Sequence, residues 1–312
     1  MLLKQTGLRS LFWALIRIRL RGLTGTGKKE FDVRNISTDV IRETVAAMCI
    51  EANITLCDDM RKEMEIALDR EKSPSAQAIL ETMIQNLEVA ERKEIPICQD
   101  TGMAVFFVTV GQEVHIEGGS LEEAINAGVA QGYQEGYLRK SVVADPLLRT
   151  NTGDNTPAVI HYRIVPGDGL TIKVMPKGFG SENTSALKML KPADGIKGVE
   201  DFVANTVEKG APNACAPIIV GVGIGGDFEK AAIMAKEALS RPLGVRNSKA
   251  HIAGLEELLI ERCNNMGIGP MGLGGVNTVL SVNVDTYPTH IAGLPVAVNI
   301  CCYVNRHVER SL

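Results

Sequence analysis

The chain has 312 residues, 45% hydrophobic and 22% charged, with a net charge of −4. That is the make-up of a globular protein with room for two packed units, and it excludes a disordered or fibrous chain. The charge is uneven: residues 1–29 hold seven Lys and Arg and no acid, leaving 26 Lys and Arg against 37 Asp and Glu in the remainder. So acidic a body excludes a nucleic-acid surface, and an anionic substrate requires a local basic site within it.

Residues 1–29 are a basic extension. Their apolar stretch, SLFWALIRIRL, is too short to span a membrane. It also lacks the charge order and small-residue cleavage site of a secretory signal. We read it as disordered or as the product of an upstream start, with an organelle transit peptide as the alternative. Residues 30–312 form the functional body, with no membrane association. Seven cysteines, at 49, 57, 98, 215, 263, 301 and 302, are an odd number with no C-x-x-C pair. That pattern is no secreted disulfide framework and points to a reducing compartment, the cytoplasm.

Asp32 to Lys93 reads as helical. Ser37-Thr38-Asp39 is an N-cap cluster, and Ile41, Val45, Met48, Cys49 and Ala52 recur at helix spacing. Ser73-Pro74 opens a later helix with Ile79, Met83 and Leu87 on one face. Cys49, Cys57 and Cys263 read as small core residues. From Ile95 the period changes. MAVFFVTVG is a strand. Ser120 and Glu123 form a capping box for a helix over Leu121–Lys140. After a polar turn-rich loop, AVIHYRIV and LTIKVMP flank PGDG and read as a hairpin. KGFGSENTSALKML reads as a glycine loop entering a helix.

Further helices are expected over GIKGVEDFVANTVEKG, DFEKAAIMAKEALSR and HIAGLEELLIERCNNM. APIIVGVGIGG, NTVLSVNVDTY and LPVAVNICCYV are strands. Hairpins mixed with strand–helix units give an α/β fold: mixed sheets with helices in two lobes that share an interface, behind an N-terminal helical segment.

Three chemistries are open. Gly221-Val-Gly223-Ile-Gly225-Gly226 fits G-x-G-x-x-G after a strand and before a helix, as in a nucleotide-binding oxidoreductase. Yet no acid ends a second strand about 20 residues on. Cys98 in IPICQDTGM resembles a nucleophile only if a base lies nearby, and the five histidines are scattered. Cys98, Cys215 and Cys302 are far too widely spaced for a zinc knuckle. Three thiolates around an iron–sulfur cluster leave one iron open.

Seven ordered motifs decide among these: PICQDTGMAVFFV, GYLRKSVVADPL, NTGDNTPAVIHY, PKGFGSENTSALKMLKP, NACAPIIVGVGIGG, MGIGPMGLGG, and THIAGLPVAVNICC with the later Arg306-His307. Over Phe31–Leu312 the chain resembles the α subunit, or N-terminal half, of iron–sulfur class I fumarate hydratases, with the L-tartrate dehydratases as close kin. The resemblance implies a 4Fe-4S cluster shared between the two lobes and ligated by Cys98, Cys215 and Cys302. Cys301 stands where a polar residue is expected. Adjacent strand residues face opposite sides, so one of Cys301 and Cys302 is the ligand, and Cys302 is favoured. Asp100 and His290 match acid–base positions. Gln99, Arg139 and Gly180 match positions that bind a small dicarboxylate substrate. The chain stops just after the third cysteine motif, which implies a separate β subunit in a heteromer.

Overall fold

The computed structural model describes residues 33–312. The basic extension, residues 1–29, lies outside the described residues. Within Arg34–Leu312 the chain forms one compact unit containing two four-stranded mixed sheets.

The first segment is β1 (Arg34–Ser37), followed by α1 (Thr38–Ile54), α2 (Asp58–Arg70) and α3 (Pro74–Lys93). The expected helical region therefore begins at Thr38. Arg34–Ser37 is a strand instead, pairing in parallel with β3 (Val114–Glu117). Ser37 caps α1 as expected, its hydroxyl accepting from the N–H groups of Asp39 and Val40. Pro74 occupies the first turn of α3.

After β2 (Met103–Gly111) comes α4 (Leu121–Glu135), capped by Ser120, whose hydroxyl accepts from the Glu123 N–H. The helix stops short of Lys140. Tyr137 turns into the left-handed region at φ 52°, and the Leu138 N–H returns to the Tyr133 carbonyl, closing the end.

The expected hairpin of β4 (Val159–Val165) and β5 (Leu170–Lys177) is absent. β2 lies between them, parallel to β4 and antiparallel to β5. The reason is burial: Ala104, Val105, Phe106 and Val108 of β2 need cover on both sides, whereas β4 is mostly exposed along an edge. The connecting turn folds over the end of β2, with Gly111 N–H donating to Gly169 O at 2.8 Å and Glu113 N–H to Gly167 O at 3.0 Å. β10 (Val308–Ser311) completes the order β10-β5-β2-β4.

The glycine loop enters one helical turn, α5 (Phe179–Glu182), and then a strand rather than a longer helix: β6 (Ala186–Leu190) pairs antiparallel with β9 (Leu294–Cys301). α6 (Gly195–Gly210), β7 (Ile218–Gly226), α7 (Phe228–Ala238), α8 (Ala250–Asn264) and β8 (Val279–Thr289) follow the expected order. The second sheet runs β6-β9-β7-β8, with β7 parallel to β8 and antiparallel to β9. Both sheets thus repeat one pairing pattern: an edge strand, two antiparallel steps, then a parallel neighbour.

Each sheet has its own core. α1 and α4 cover the first sheet through Val45, Met48, Ile125 and Tyr133, while α6 and α8 cover the second through Val203, Val207 and Leu259. A third core joins them. Met60, Met64, Leu80 and Leu87 of α2 and α3 pack on Met175 of β5, Ile219 of β7 and Cys301 of β9. Cys49 and Cys263 are fully buried, and burial pushes both thiols up to about 12, as core residues require. Cys57 is half-buried at the start of α2, its thiol donating to the His307 carbonyl.

Candidate metal centre

Three loops meet where β2 and β7 begin and β9 ends. They place Cys98, Cys215 and Cys302 around one cavity of about 600 Å³, closed on another side by Ile79, Thr82, Met83 and Asn86 of α3. Residues 117 and 87 apart in sequence are thus neighbours because the two sheets present corresponding strand ends.

Each cysteine is held differently. Cys98 Sγ accepts from the Asp100 N–H at 3.4 Å and faces the Gln99 amide oxygen at 3.4 Å. Cys215 lies in the left-handed region at φ 52°, a strained conformation for a non-glycine residue that its surroundings must maintain. The Tyr303 N–H, 3.5 Å from the Cys215 carbonyl, supplies part of that hold. Cys302 follows the end of β9. Cys301 is buried, opposite Ile219, and does not line the cavity.

The adjacent thiols are shifted in opposite directions. The hydrogen bond from Cys302 lowers Cys301 against the effect of burial, with Lys177 and Arg306 adding to it. The same bond raises Cys302, as does burial. Burial also raises Cys215, and the nearby Cys98 reinforces this. Tyr303 is pushed up to about 12, first by burial and then by the charges of Cys302, Cys98 and Cys215. One phenol therefore senses all three thiols.

The Cys98 loop is clamped at its exit. Gly102 has φ +77°, and a Cβ there would stand 2.7 Å from the Lys177 carbonyl carbon, so only glycine fits. The buried Tyr133 hydroxyl donates to the carbonyls of Thr101 at 2.9 Å and Gly102 at 3.0 Å. Asn155, fully buried, donates to Gly102 O and accepts from the N–H groups of Ser141 and Val142. The buried Arg306 donates to the Asp100 carbonyl at 2.6 Å.

Around this loop the fold gathers most of the expected polar residues. Gln99 lines the cavity. Asp100 stands behind it, with its carboxylate accepting from Gly102 N–H at 3.0 Å and Phe179 N–H at 2.9 Å. Gly180 is the next residue after Phe179 and is exposed. Arg139 is exposed, and its N–H donates to Thr101 Oγ1 at 2.8 Å, which fixes its backbone against the same loop.

His290 is not in this group. It lies in the turn between β8 and β9, at the opposite end of β9 from Cys302, and lines a different cavity with His251 and Ile252. Eight strand residues at about 3.3 Å each separate the two ends by roughly 25 Å.

The glycine fingerprint has another use. Gly221 and Gly223 lie inside β7, where a Cβ would meet the carbonyl oxygens of Ala235 and Ala231 at 1.9 and 2.1 Å. They let α7 lie against the sheet. The first turn of α7 is filled by Asp227, whose carboxylate accepts from the Lys230 N–H at 2.9 Å. The helix end that a nucleotide phosphate would use already holds a carboxylate of the chain.

Among the described residues, no three His, Cys, Asp or Glu side chains are close enough to hold a single ion. Three thiols spaced around a roomy cavity instead suit a multi-iron cluster with soft sulfur ligands. Tyr303, Arg306, Tyr133 and Asn155 were missed by sequence reasoning. Tyr303 carried a signal in its closeness to Cys302, and Asn155 and Arg306 lay within quoted motifs without being given a role. No helix among the described residues is long and apolar enough to cross a membrane.

Comparison with known proteins identifies the family. A protein named "Putative L(+)-tartrate dehydratase subunit alpha" from Methanocaldococcus jannaschii is 40% identical over 278 residues, covering 87% of this chain and 97% of its own length. The L(+)-tartrate dehydratase subunit alpha of Escherichia coli UTI89 is 34% identical, covering 85% and 88%. That of Escherichia coli K12 is 33% identical with the same coverage. The family model for fumarate hydratase (Fumerase) matches residues 42–311. The chain belongs to that family, the iron–sulfur fumarate hydratases its motifs resemble.

Proposed function

We propose that this hydro-lyase is the α subunit of an enzyme that reversibly hydrates fumarate to malate, with a 4Fe-4S cluster held by Cys98, Cys215 and Cys302. The observation that carries this reading is the convergence of those three thiols on one cavity, with Gln99 beside them. When bound through only three thiolates, the cluster supplies a Lewis acid for the substrate carboxylate and hydroxyl.

The chain's own residues do the rest. The Gln99 amide donates to a substrate carboxylate at the cavity wall. The Arg139 guanidinium, carried on a backbone fixed by Thr101, offers two parallel N–H bonds to a carboxylate and steadies the charge that builds on it. Asp100 is oriented by two backbone N–H groups. Each of its oxygens keeps a lone pair with which to take the carbon-bound proton and return it in the reverse direction. Gly180 presents an unshielded backbone to the substrate, since no atom lies within 4 Å of where its Cβ would be. His290 can take part only if a second protomer brings it to the cavity.

A second reading, dehydration of L-tartrate, is favoured by the names of the relatives. Those names also mark α subunits, so a separate β subunit is expected to complete the site. Seven unpaired cysteines suit a reducing, cytoplasmic setting. The test is anaerobic purification of the αβ pair, iron and sulfide analysis, and assays on fumarate, malate and L-tartrate. About four irons per α chain, lost in Cys98→Ser, are expected. An iron-free wild-type protein refutes the reading, and the preferred substrate decides between the two reactions.

A further inference from the structure

Arg306 presents a charge without a counterpart. It is 3% exposed, and Nη2 donates to the Asp100 carbonyl at 2.6 Å. Its Nε and Nη1 groups are buried and have no partner among the described residues. No carboxylate of the described residues lies within ion-pair distance of it, because the Asp100 carboxylate is turned toward Gly102 and Phe179. A guanidinium buried in this way is costly unless something anionic answers it.

Its place in the chain is equally telling. Arg306 follows Cys302 in the segment leading to β10 and reaches across to the carbonyl next to Gln99. One side chain thus joins the loop of the first cysteine to that of the third. Asp100 is held from both sides: its carbonyl by Arg306, and its N–H by Cys98 Sγ.

We propose that Arg306 is a positioning residue for the iron–sulfur cluster, locking the Cys98 and Cys302 loops together and answering the negative charge of the thiolate-bound cluster with its own unanswered positive charge. The proposal rests on the cluster reading given above. Hydrogen bonds and positive charge near cluster sulfur raise the reduction potential. A bond to a charged group also adds enough stability to slow loss of the cluster by about tenfold.

The experiment uses the full chain with its β subunit, purified anaerobically, as wild type, Arg306→Gln and Arg306→Lys. Two quantities are read: the cluster's midpoint potential by spectroscopic titration, and the rate of iron release to a chelator. Arg306→Gln is expected to load a cluster of lower potential that releases iron about tenfold faster. Arg306→Lys keeps the charge and so a potential near wild type, but it releases iron faster because an ammonium cannot span the same contacts. Wild-type potential and release rate in Arg306→Gln overturn the proposal while leaving the cluster reading intact. If Arg306→Gln does not fold, a wild-type release rate in Arg306→Lys overturns it. A wild-type chain that takes up no cluster overturns both.

Discussion

Replacing Gly102 by alanine tests how the Cys98 loop is held. Two costs add. The first is the left-handed backbone at φ +77°, about 1–2 kcal/mol for a residue with a Cβ. The second is contact with backbone: the new methyl would lie 2.7–2.9 Å from the carbonyl carbon, nitrogen and oxygen of Lys177. These atoms belong to β5, paired in register with β2, so they cannot step aside as a side-chain tip would. Overpacking of this kind costs about 1–3 kcal/mol, giving about 2–5 kcal/mol in all. Gly153 supplies the control, since its φ is +86° but nothing lies within 4 Å of its Cβ position. Gly153→Ala therefore pays the conformational part alone. Urea denaturation of both variants measures the difference, and iron content after anaerobic reconstitution shows whether Cys98 has moved. Gly102→Ala should lose both more stability and more iron than Gly153→Ala. Equal losses in the two variants would refute the claim that β5 fixes this loop.

Tyr133→Phe keeps the ring in its core but strands the Thr101 carbonyl, costing about 1–3 kcal/mol by thermal or urea unfolding; an unchanged midpoint contradicts the clamp. Gly221→Ala should lift α7 from β7 and destabilise the fold by about 1–3 kcal/mol while leaving the thiol cavity able to load iron. Loss of iron with stability unchanged would show that these glycines serve the site instead. Burial alone would raise the Glu71 carboxyl, but bonds from Asn277 and the N–H groups of Ser73, Val276 and Lys72 outweigh it and hold it below its usual range. Its folded value is depressed, so its stabilising contribution is present above about pH 4.5 and lost as pH falls through the folded value. The stability gap between wild type and Glu71→Gln should therefore narrow as pH is lowered from 7 to 3. A constant gap would show that the carboxylate contributes nothing specific.

Much of the fold was legible in the sequence because its helices carry local signals. Ser37, Ser73-Pro74 and Ser120 each mark the start of a helix they do begin. The misreadings concern non-local pairing. PGDG between two strand-like runs looks like a hairpin, but nothing in the local sequence says that β2 will occupy the space between them. Four short strands, Arg34–Ser37, Val114–Glu117, Ala186–Leu190 and Val308–Ser311, were missed because each is stabilised by a distant partner rather than by its own pattern. The glycines of β7 matched a phosphate-binding spacing, though their physical cause is the approach of a helix to within backbone contact. At the site, Cys98, Gln99 and Asp100 were legible as one cluster of chemistry. Tyr133 and Asn155 were not, since a buried tyrosine on a helix and an asparagine in a loop acquire meaning only when Gly102 is seen between them.

The two sheets explain why three distant cysteines can share a cavity at all. In each sheet the strand with both a parallel and an antiparallel neighbour, β2 or β7, is entered from a cysteine loop: Cys98 before β2, Cys215 before β7. β9 is antiparallel to β7 and sets Cys301 opposite Ile219, near the start of β7, so that Cys302 emerges beside Cys215. Two thiols are therefore positioned within the second sheet by strand register. The third belongs to the first sheet and depends on the packing between them. That packing is supplied by α2 and α3, whose core reaches β5, β7 and β9 together and whose Ile79, Thr82 and Asn86 also wall the cavity. Damage to the α2–α3 core should then separate Cys98 from the other two thiols before either sheet unfolds. The pair Cys215 and Cys302 should persist as a local unit, because the register of β9 on β7 is set by strand pairing within the second sheet, to which the first sheet adds only the bond from Lys177 to the Ile300 carbonyl.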